Sequence, residues 1–123
     1  MIIDRRFRGP PESGHGGYVC GVVAGLIGGT AEVTLRRPPP LGRPLEVMRH
    51  DGSGISLRDD QTVVAEGAPA SVEIDVPGPV GFSDAEVASR SYIGLRKPAF
   101  PTCFGCGTQR AEGDGLRLFA GRV

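Results

Sequence analysis

Residues 13–28 read SGHGGYVCGVVAGLIG, and this stretch carries the strongest structural signal in the sequence. Between Gly17 and Ile27 no residue is charged, and the segment is long for a strand but too short to span a membrane. The sequence therefore predicts a helix that is buried on all sides, although its three valines leave a β-strand as the alternative. Gly21, Gly25 and Gly28, at positions i, i+4 and i+7, would give such a helix one smooth face for another backbone or a thin ligand chain, with tight packing as the alternative.

The spacing of apolar residues changes from helical to alternating after Gly28. Alternation of apolar and polar residues is typical of half-buried strands, and turn residues such as Asp51-Gly52 separate the segments. Strands are predicted at 31–36, 45–47, 55–57, 62–65 and 71–76, with a further short strand at 1–8. An apolar helix ahead of this antiparallel meander predicts an α+β fold in which a curved sheet encloses the helix.

The chain of 123 residues is long enough for one domain. Residues 1–76 are predicted to form its core, and residues 77–123 an extension. Within the extension, Ser83 followed by acidic residues predicts a short helix reaching about Tyr92, and a Pro- and Gly-rich loop follows it. Apolar alternation at 115–119 has the pattern of a strand that begins there, which suggests the start of a second repeat.

Charge and composition narrow the function classes. Fourteen basic and fourteen acidic residues give a formal net charge of zero, so the sequence lacks the basic excess that binds nucleic-acid backbones. No apolar run is long enough to cross a bilayer, and the first residues lack the pattern of a secretion signal. Three cysteines, an odd number, favour a reducing compartment over a disulfide framework. We therefore expect a cytoplasmic protein that uses no cofactor and binds neither nucleic acid nor membrane.

The segment Ser13-Gly14-His15-Gly16-Gly17 lies directly before the predicted helix. The first N–H groups of a helix have no partner within it and lie at the positive end of the helix dipole, so they can stabilise a carbonyl oxygen that gains negative charge. The glycines leave room for a substrate to approach the backbone. The alternatives are a tight turn at Gly16 and Gly17 and a histidine that bonds to its own turn at His15.

This His-Gly-Gly element, followed by an apolar helix and then by strands, resembles the hotdog-fold acyl-CoA thioesterase superfamily over residues 1–76. The resemblance implies an acyl-CoA or related thioester as the ligand and a homodimer or higher homo-oligomer as the assembly. It implies that the N–H of Gly17, helped by Gly16, polarises the thioester carbonyl, while His15 orients the loop or contacts the acyl group. The segment from Arg36 to Arg43 resembles acyl-CoA thioesterases of the double-hotdog kind, whose two repeats lie in one chain.

Some members of this superfamily carry a carboxylate in the central helix, where it activates water. The corresponding positions here are Val23, Ala24 and Gly25. Glu12 in the preceding loop, or Asp4 on the first predicted strand, is then the remaining candidate for a catalytic carboxylate. We therefore expect the chain to bind an acyl-CoA thioester better than it hydrolyses it. The alternative is a non-catalytic acyl-binding or assembly domain.

Basic residues follow the first long predicted strand. Arg36, Arg37 and Arg43 surround three consecutive prolines, and the guanidinium group can contact two phosphate oxygens at once. Hotdog enzymes often bind the phosphates of coenzyme A at the rim of the sheet, so these arginines are candidate substrate-binding residues, together with Ser13. The alternative is a solvated loop.

Cys103 and Cys106 have the two-residue spacing that lets both sulfurs face one metal ion. Zinc needs four ligands, and no cysteine or histidine follows Cys106, so a zinc site would require a second copy of the chain or a missing segment. We therefore predict no metal site within one chain and favour two thiols in a structural loop, with a redox pair as a further alternative. Cys20, within the apolar helix, is interpreted as a small core residue.

Overall fold

The secondary structure of the chain is given by a computed structural model, which describes residues 1–122. The chain divides into two compact units, unit 1 at Met1–Glu73 and unit 2 at Ile74–Val123. The helices are α1 (Gly16–Ile27) and α2 (Phe82–Ser89), and the strands are β1 (Ala31–Leu35), β2 (Glu46–Arg49), β3 (Ile55–Asp59) and β4 (Thr62–Pro69). Short 3₁₀ turns occupy Arg5–Phe7, Asp51–Ser53 and Ile93–Leu95.

Unit 1 contains α1 and one antiparallel sheet with the strand order β1-β4-β3-β2. Strands β2, β3 and β4 form a meander, as alternation of apolar residues predicts. Strand β1 pairs with the other side of β4, with Val33 opposite Gly67, so the connection from β1 to β2 runs from one edge of the sheet to the other. The predictions of a helix at 17–27, of an antiparallel sheet and of the α+β class are confirmed.

The core of unit 1 lies between α1 and the sheet. Val19 and Val23 on α1 are fully buried, and the helix packs against β1, β3 and β4. The other buried apolar side chains of this core are Ile3, Leu45, Ile55, Leu57, Val64 and Ala65. Ile55 and Leu57 alternate along β3, in agreement with the period of two in the sequence, whereas Val64 and Ala65 are consecutive on β4, where the register with β3 shifts.

The prediction that α1 is buried on all sides is wrong. Gly21 and Gly25 are exposed, and within residues 1–122 no atom lies within 4 Å of a Cβ placed on either glycine, the helix's own backbone aside. Glycine offers little apolar surface, so exposing this side of the helix to water has a small free-energy cost. One layer of sheet therefore suffices to cover the valine side.

Gly21→Ala is expected to stabilise unit 1, because an exposed helical glycine costs roughly 0.5–1 kcal/mol relative to alanine. Urea denaturation followed by circular dichroism measures the change in the free energy of unfolding. A destabilised variant would show that this side of α1 packs closely against something, and would contradict the exposed arrangement.

Two predicted strands do not form. The strand predicted at 1–8 is replaced by the 3₁₀ turn at Arg5–Phe7, which the Asp4 side chain caps by accepting a hydrogen bond from the Arg6 N–H at 2.7 Å. Strand β4 ends at Pro69, and within residues 1–122 the segment 71–76 pairs with no strand and is exposed throughout. Alternation of apolar residues thus describes a strand only where a neighbouring strand can pair with it.

In unit 2 the structure differs from two further predictions. Helix α2 begins at Phe82 and ends at Ser89, short of Tyr92, and Gly81 occupies the cap position that was expected for Ser83. Residues 115–119 form no strand. Instead, the N–H groups of Leu116 and Leu118 donate to the carbonyls of Phe104 and Gly105, both at 2.8 Å.

Candidate functional site

The loop before α1 is held by backbone hydrogen bonds. The Gly14 N–H donates to the Pro39 carbonyl at 2.7 Å, and the His15 N–H donates to the Phe7 carbonyl at 2.7 Å. A Cβ on Gly14 would lie 3.1 Å from Val19 Cγ2 and 3.2 Å from Ile3 Cγ2, so this close approach favours glycine. The start of α1 is therefore fixed beside the segment that follows β1.

The two arginines after β1 are positioned by an irregularity in the sheet. The register between β3 and β4 shifts at Leu57/Arg58, which leaves Val64 without a partner on β3. The Val64 carbonyl accepts hydrogen bonds from the Arg36 and Arg37 N–H groups at 2.8 and 3.2 Å. These two hydrogen bonds fix the backbone of Arg36 and Arg37 where the chain leaves β1, close to the start of α1.

These two segments enclose a depression of about 430 Å³, which we call the α1 depression. Four predicted site residues that are distant in sequence line it together: Ser13, Gly16, Arg36 and Arg37. The rest of the lining is Pro10, Gly14, Leu35, Pro38 and Pro39. The depression thus has an apolar wall, a helix start and a basic rim.

Hydrogen-bond donors are available at the start of α1. Within residues 1–122 the N–H groups of Gly16 and Gly17 have no acceptor, as expected for the first turn of a helix. Gly16 lines the α1 depression, whereas Gly17 does not.

His15 caps α1. Its Nδ1 accepts a hydrogen bond from the Tyr18 N–H at 3.2 Å, so the imidazole binds its own turn. A Cβ on Gly17 would lie 3.3 Å from His15 Cε1, which shows how closely the ring lies over the first turn. The histidine therefore orients the loop, and its side chain does not line the α1 depression.

The remaining predicted site residues lie elsewhere. Glu12 is exposed and lies 3.7 Å from Arg5, and it does not line the α1 depression. Arg43 forms an ion pair with Asp59, and Arg36 forms one with Glu66. Among residues 1–122 no ion pair involves Arg37, which is exposed and lines the α1 depression.

The sequence interpretation missed the apolar wall of the depression. Leu35 is the last residue of β1, and Pro38 and Pro39 follow in an irregular segment. The signal that could have found them is the run of prolines directly after a strand, because proline cannot continue pairing and leaves an apolar ring at the surface.

Two other features have chemical interest. A second depression of about 370 Å³ lies on the sheet side that includes Glu32, Thr34 and Glu66, and His50 at its border has Nε2 2.8 Å from the Ser56 hydroxyl oxygen. Ser56 is almost fully buried, so this pair satisfies a buried hydroxyl and does not present a nucleophile.

Burial raises the pKa of the Cys20 thiol in α1, which makes this cysteine a weak nucleophile near neutral pH.

Comparisons of the chain with known protein families, with curated proteins and with solved structures find no significant match in any of the three.

Among residues 1–122, no helix combines the length and the apolar character that crossing a membrane requires. Over the same residues, no three side chains of the types His, Cys, Asp and Glu come together as a group that could hold a metal ion.

Proposed function

We propose that unit 1 is a hotdog-like domain that binds an acyl-CoA or related acyl thioester in the α1 depression. The observation that carries this proposal is the convergence of Ser13, Gly16, Arg36 and Arg37 on one depression at the start of the apolar helix. The arrangement of one apolar helix against an antiparallel sheet is compatible with that fold.

The chemistry of the lining matches the parts of such a ligand. The free N–H of Gly16 at the positive end of α1 suits the thioester carbonyl oxygen. The exposed Arg37 guanidinium suits a phosphate of coenzyme A, which it can contact through two parallel hydrogen bonds. Leu35 and the two prolines provide apolar contact for the methylene groups next to the carbonyl.

Binding is better supported than hydrolysis. Hydrolysis needs a group that deprotonates or positions water, and general-base help contributes about 100- to 10,000-fold to the rate. Among the residues that the structure describes, no carboxylate lines the α1 depression, and the exposed Glu12 carboxylate lies 3.7 Å from Arg5. On α1, Val23 packs into the core and Gly25 carries no side chain. We therefore propose a binding domain with at most slow thioesterase activity.

Self-association through the sheet is part of the proposal. Among residues 1–122, β1 pairs only with β4, so one side of β1 keeps unpaired backbone groups. Edge strands of this kind pair readily with a second copy.

An acyl-CoA is expected to raise the melting temperature of the full chain while thiol release stays near background. Saturation at about 100 times the dissociation constant stabilises the bound domain by about 2.7 kcal/mol. Differential scanning fluorimetry with acyl-CoA esters of increasing chain length, run beside a thiol-release assay, tests both parts, with free CoA as the control ligand. No thermal shift with any ester would contradict binding. Turnover at ordinary enzyme rates, about 1–1000 per second, would contradict the proposal that the domain binds the thioester with at most slow hydrolysis. If that turnover were lost in Glu12→Gln, Glu12 would be identified as the carboxylate that hydrolysis requires.

A further inference from the structure

Ser13 is a buried polar residue in the loop before α1, and it lines the α1 depression. Only 9% of its surface is exposed. Both of its backbone groups have partners, since its N–H donates to the Pro10 carbonyl at 3.2 Å and its carbonyl accepts from the Gly9 N–H at 2.9 Å. The polar group of this residue that remains to be explained is its side-chain hydroxyl.

Among residues 1–122 no hydrogen bond involves the Ser13 hydroxyl. Over the same residues, Arg58 Nε is the side-chain polar atom that is both without a partner and sealed from the surface. The Ser13 oxygen also lacks a partner but is not sealed, so it reaches the surface. Because Ser13 lines the α1 depression, the hydroxyl is accessible to a ligand there.

The end of the helix does not use this hydroxyl. A serine before a helix commonly accepts a hydrogen bond from one of the first N–H groups. In α1 the cap residue is His15, whose Nδ1 accepts from the Tyr18 N–H at 3.2 Å. A nearly buried hydroxyl without a protein partner has a free-energy cost, and a structural role does not explain it here.

The loop holds Ser13 in place in the absence of a ligand. The next two residues are fixed by backbone hydrogen bonds, from the Gly14 N–H to the Pro39 carbonyl and from the His15 N–H to the Phe7 carbonyl, both at 2.7 Å. A donor that is already fixed loses little conformational entropy when it binds a ligand.

The lining of the depression determines which kind of ligand group suits the hydroxyl. Among the described lining residues, the other side chains with hydrogen-bonding groups are Arg36 and Arg37, and a guanidinium group only donates. Gly16 brings the positive end of the α1 dipole to the same lining. An acceptor oxygen that carries partial negative charge is therefore the group that suits this part of the depression.

We propose that the Ser13 hydroxyl is a second hydrogen-bond donor to the thioester carbonyl oxygen, beside the Gly16 N–H, and that it makes the depression selective for ligands that carry this oxygen. The inference rests on the proposed function, because it concerns one oxygen of the acyl thioester. Leu35 and the prolines of the lining lower the local dielectric, which strengthens a hydrogen bond made there. Ser13 is thus a specificity residue of the proposed site.

A pair of ligands isolates the carbonyl oxygen. An S-alkyl-CoA has a methylene group where the acyl-CoA of the same chain length has its carbonyl. Isothermal titration calorimetry compares the acyl-CoA that gives the largest thermal shift with its S-alkyl counterpart, for the unchanged full chain and for Ser13→Ala. We expect Ser13→Ala to weaken acyl-CoA binding about 2- to 10-fold, the contribution of one hydrogen bond between uncharged groups, and to leave S-alkyl-CoA binding unchanged.

Ser71→Ala is the matched control, because Ser71 is an exposed serine of unit 1 that does not line the depression. It should bind both ligands as the unchanged chain does. The melting temperature without ligand provides a readout that separates binding from structure. Ser13→Ala should melt at the same or a higher temperature than the unchanged chain, since the substitution removes a hydroxyl that no protein group bonds.

Three results would overturn the inference and leave the proposed function in place. They are equal acyl-CoA affinities of the unchanged chain and a folded Ser13→Ala chain, equal losses for the acyl and S-alkyl ligands, and a lower melting temperature of ligand-free Ser13→Ala, which would show a structural hydroxyl. If the unchanged chain bound neither ligand, the proposed function itself would be contradicted, and the role of Ser13 with it.

Discussion

Leu57→Ala is expected to lower the free energy of unfolding of unit 1 by about 2–5 kcal/mol, the usual cost of a leucine removed from a core. Leu57 lies on β3 in the middle of the sheet and is fully buried beneath α1. Its removal leaves a cavity between helix and sheet that the strands on both sides prevent from closing. Urea denaturation followed by far-UV circular dichroism measures the loss.

Val72→Ala is the matched control for that substitution. The sequence pattern around Val72 alternates as it does around Leu57, but Val72 is 61% exposed and lies outside every strand. A surface substitution of this kind changes the free energy of unfolding by less than about 0.5 kcal/mol. Equal losses for the two variants would show that 71–76 is a core strand after all.

Gly67→Val is expected to destabilise unit 1 by roughly 1–3 kcal/mol through overpacking. Gly67 on β4 is the point over which α1 passes. A Cβ there would lie 3.0 Å from Ile27 Cδ1, 3.1 Å from Val23 Cγ1 and 3.1 Å from Val33 Cγ2. All three neighbours are β-branched and have stiff side chains, so a larger residue must push the helix away from the sheet.

Ala68→Val controls for the added volume. Ala68 is the next residue of β4, faces the opposite side of the sheet and is exposed. The somewhat smaller enlargement there should change stability by less than about 0.5 kcal/mol. If Gly67→Val were as harmless as Ala68→Val in urea denaturation, the close approach of α1 to β4 would be wrong.

The helix and the sheet of unit 1 were predictable because their signals are local. The charge-free run from Gly17 to Ile27 and the alternation at 31–36 and 55–57 each contain enough apolar residues to define an element. The sequence could not show which side of α1 is exposed to solvent. The helix is apolar on all sides, so its hydrophobicity alone does not distinguish the valine side from the glycine side. The exposed Gly21 and Gly25 follow from tertiary packing against a single sheet.

The candidate site was predictable in part for a similar reason. Ser13, Gly16, Arg36 and Arg37 belong to two segments whose chemistry is visible in the sequence, and the structure brings these segments together. The ion pairs that occupy Arg36 and Arg43 depend on Glu66 and Asp59, which are brought near by strand register. The spacing of the arginines in the sequence could not show that Arg36 and Arg43 form ion pairs whereas Arg37 forms none.

The affinity of the full chain for an acyl-CoA, measured by isothermal titration calorimetry for the unchanged protein, Arg37→Ala and Arg43→Ala, tests the central claim most directly. Arg37 lines the α1 depression and has no ion-pair partner among residues 1–122, whereas Arg43 is paired with Asp59 outside it. We predict saturable binding that weakens about 3- to 10-fold in Arg37→Ala, the effect of one solvent-screened contact to a charged group, and is unchanged in Arg43→Ala. No saturable binding by the unchanged protein, or equal losses in the two variants, would contradict the assignment of the α1 depression as the acyl thioester site.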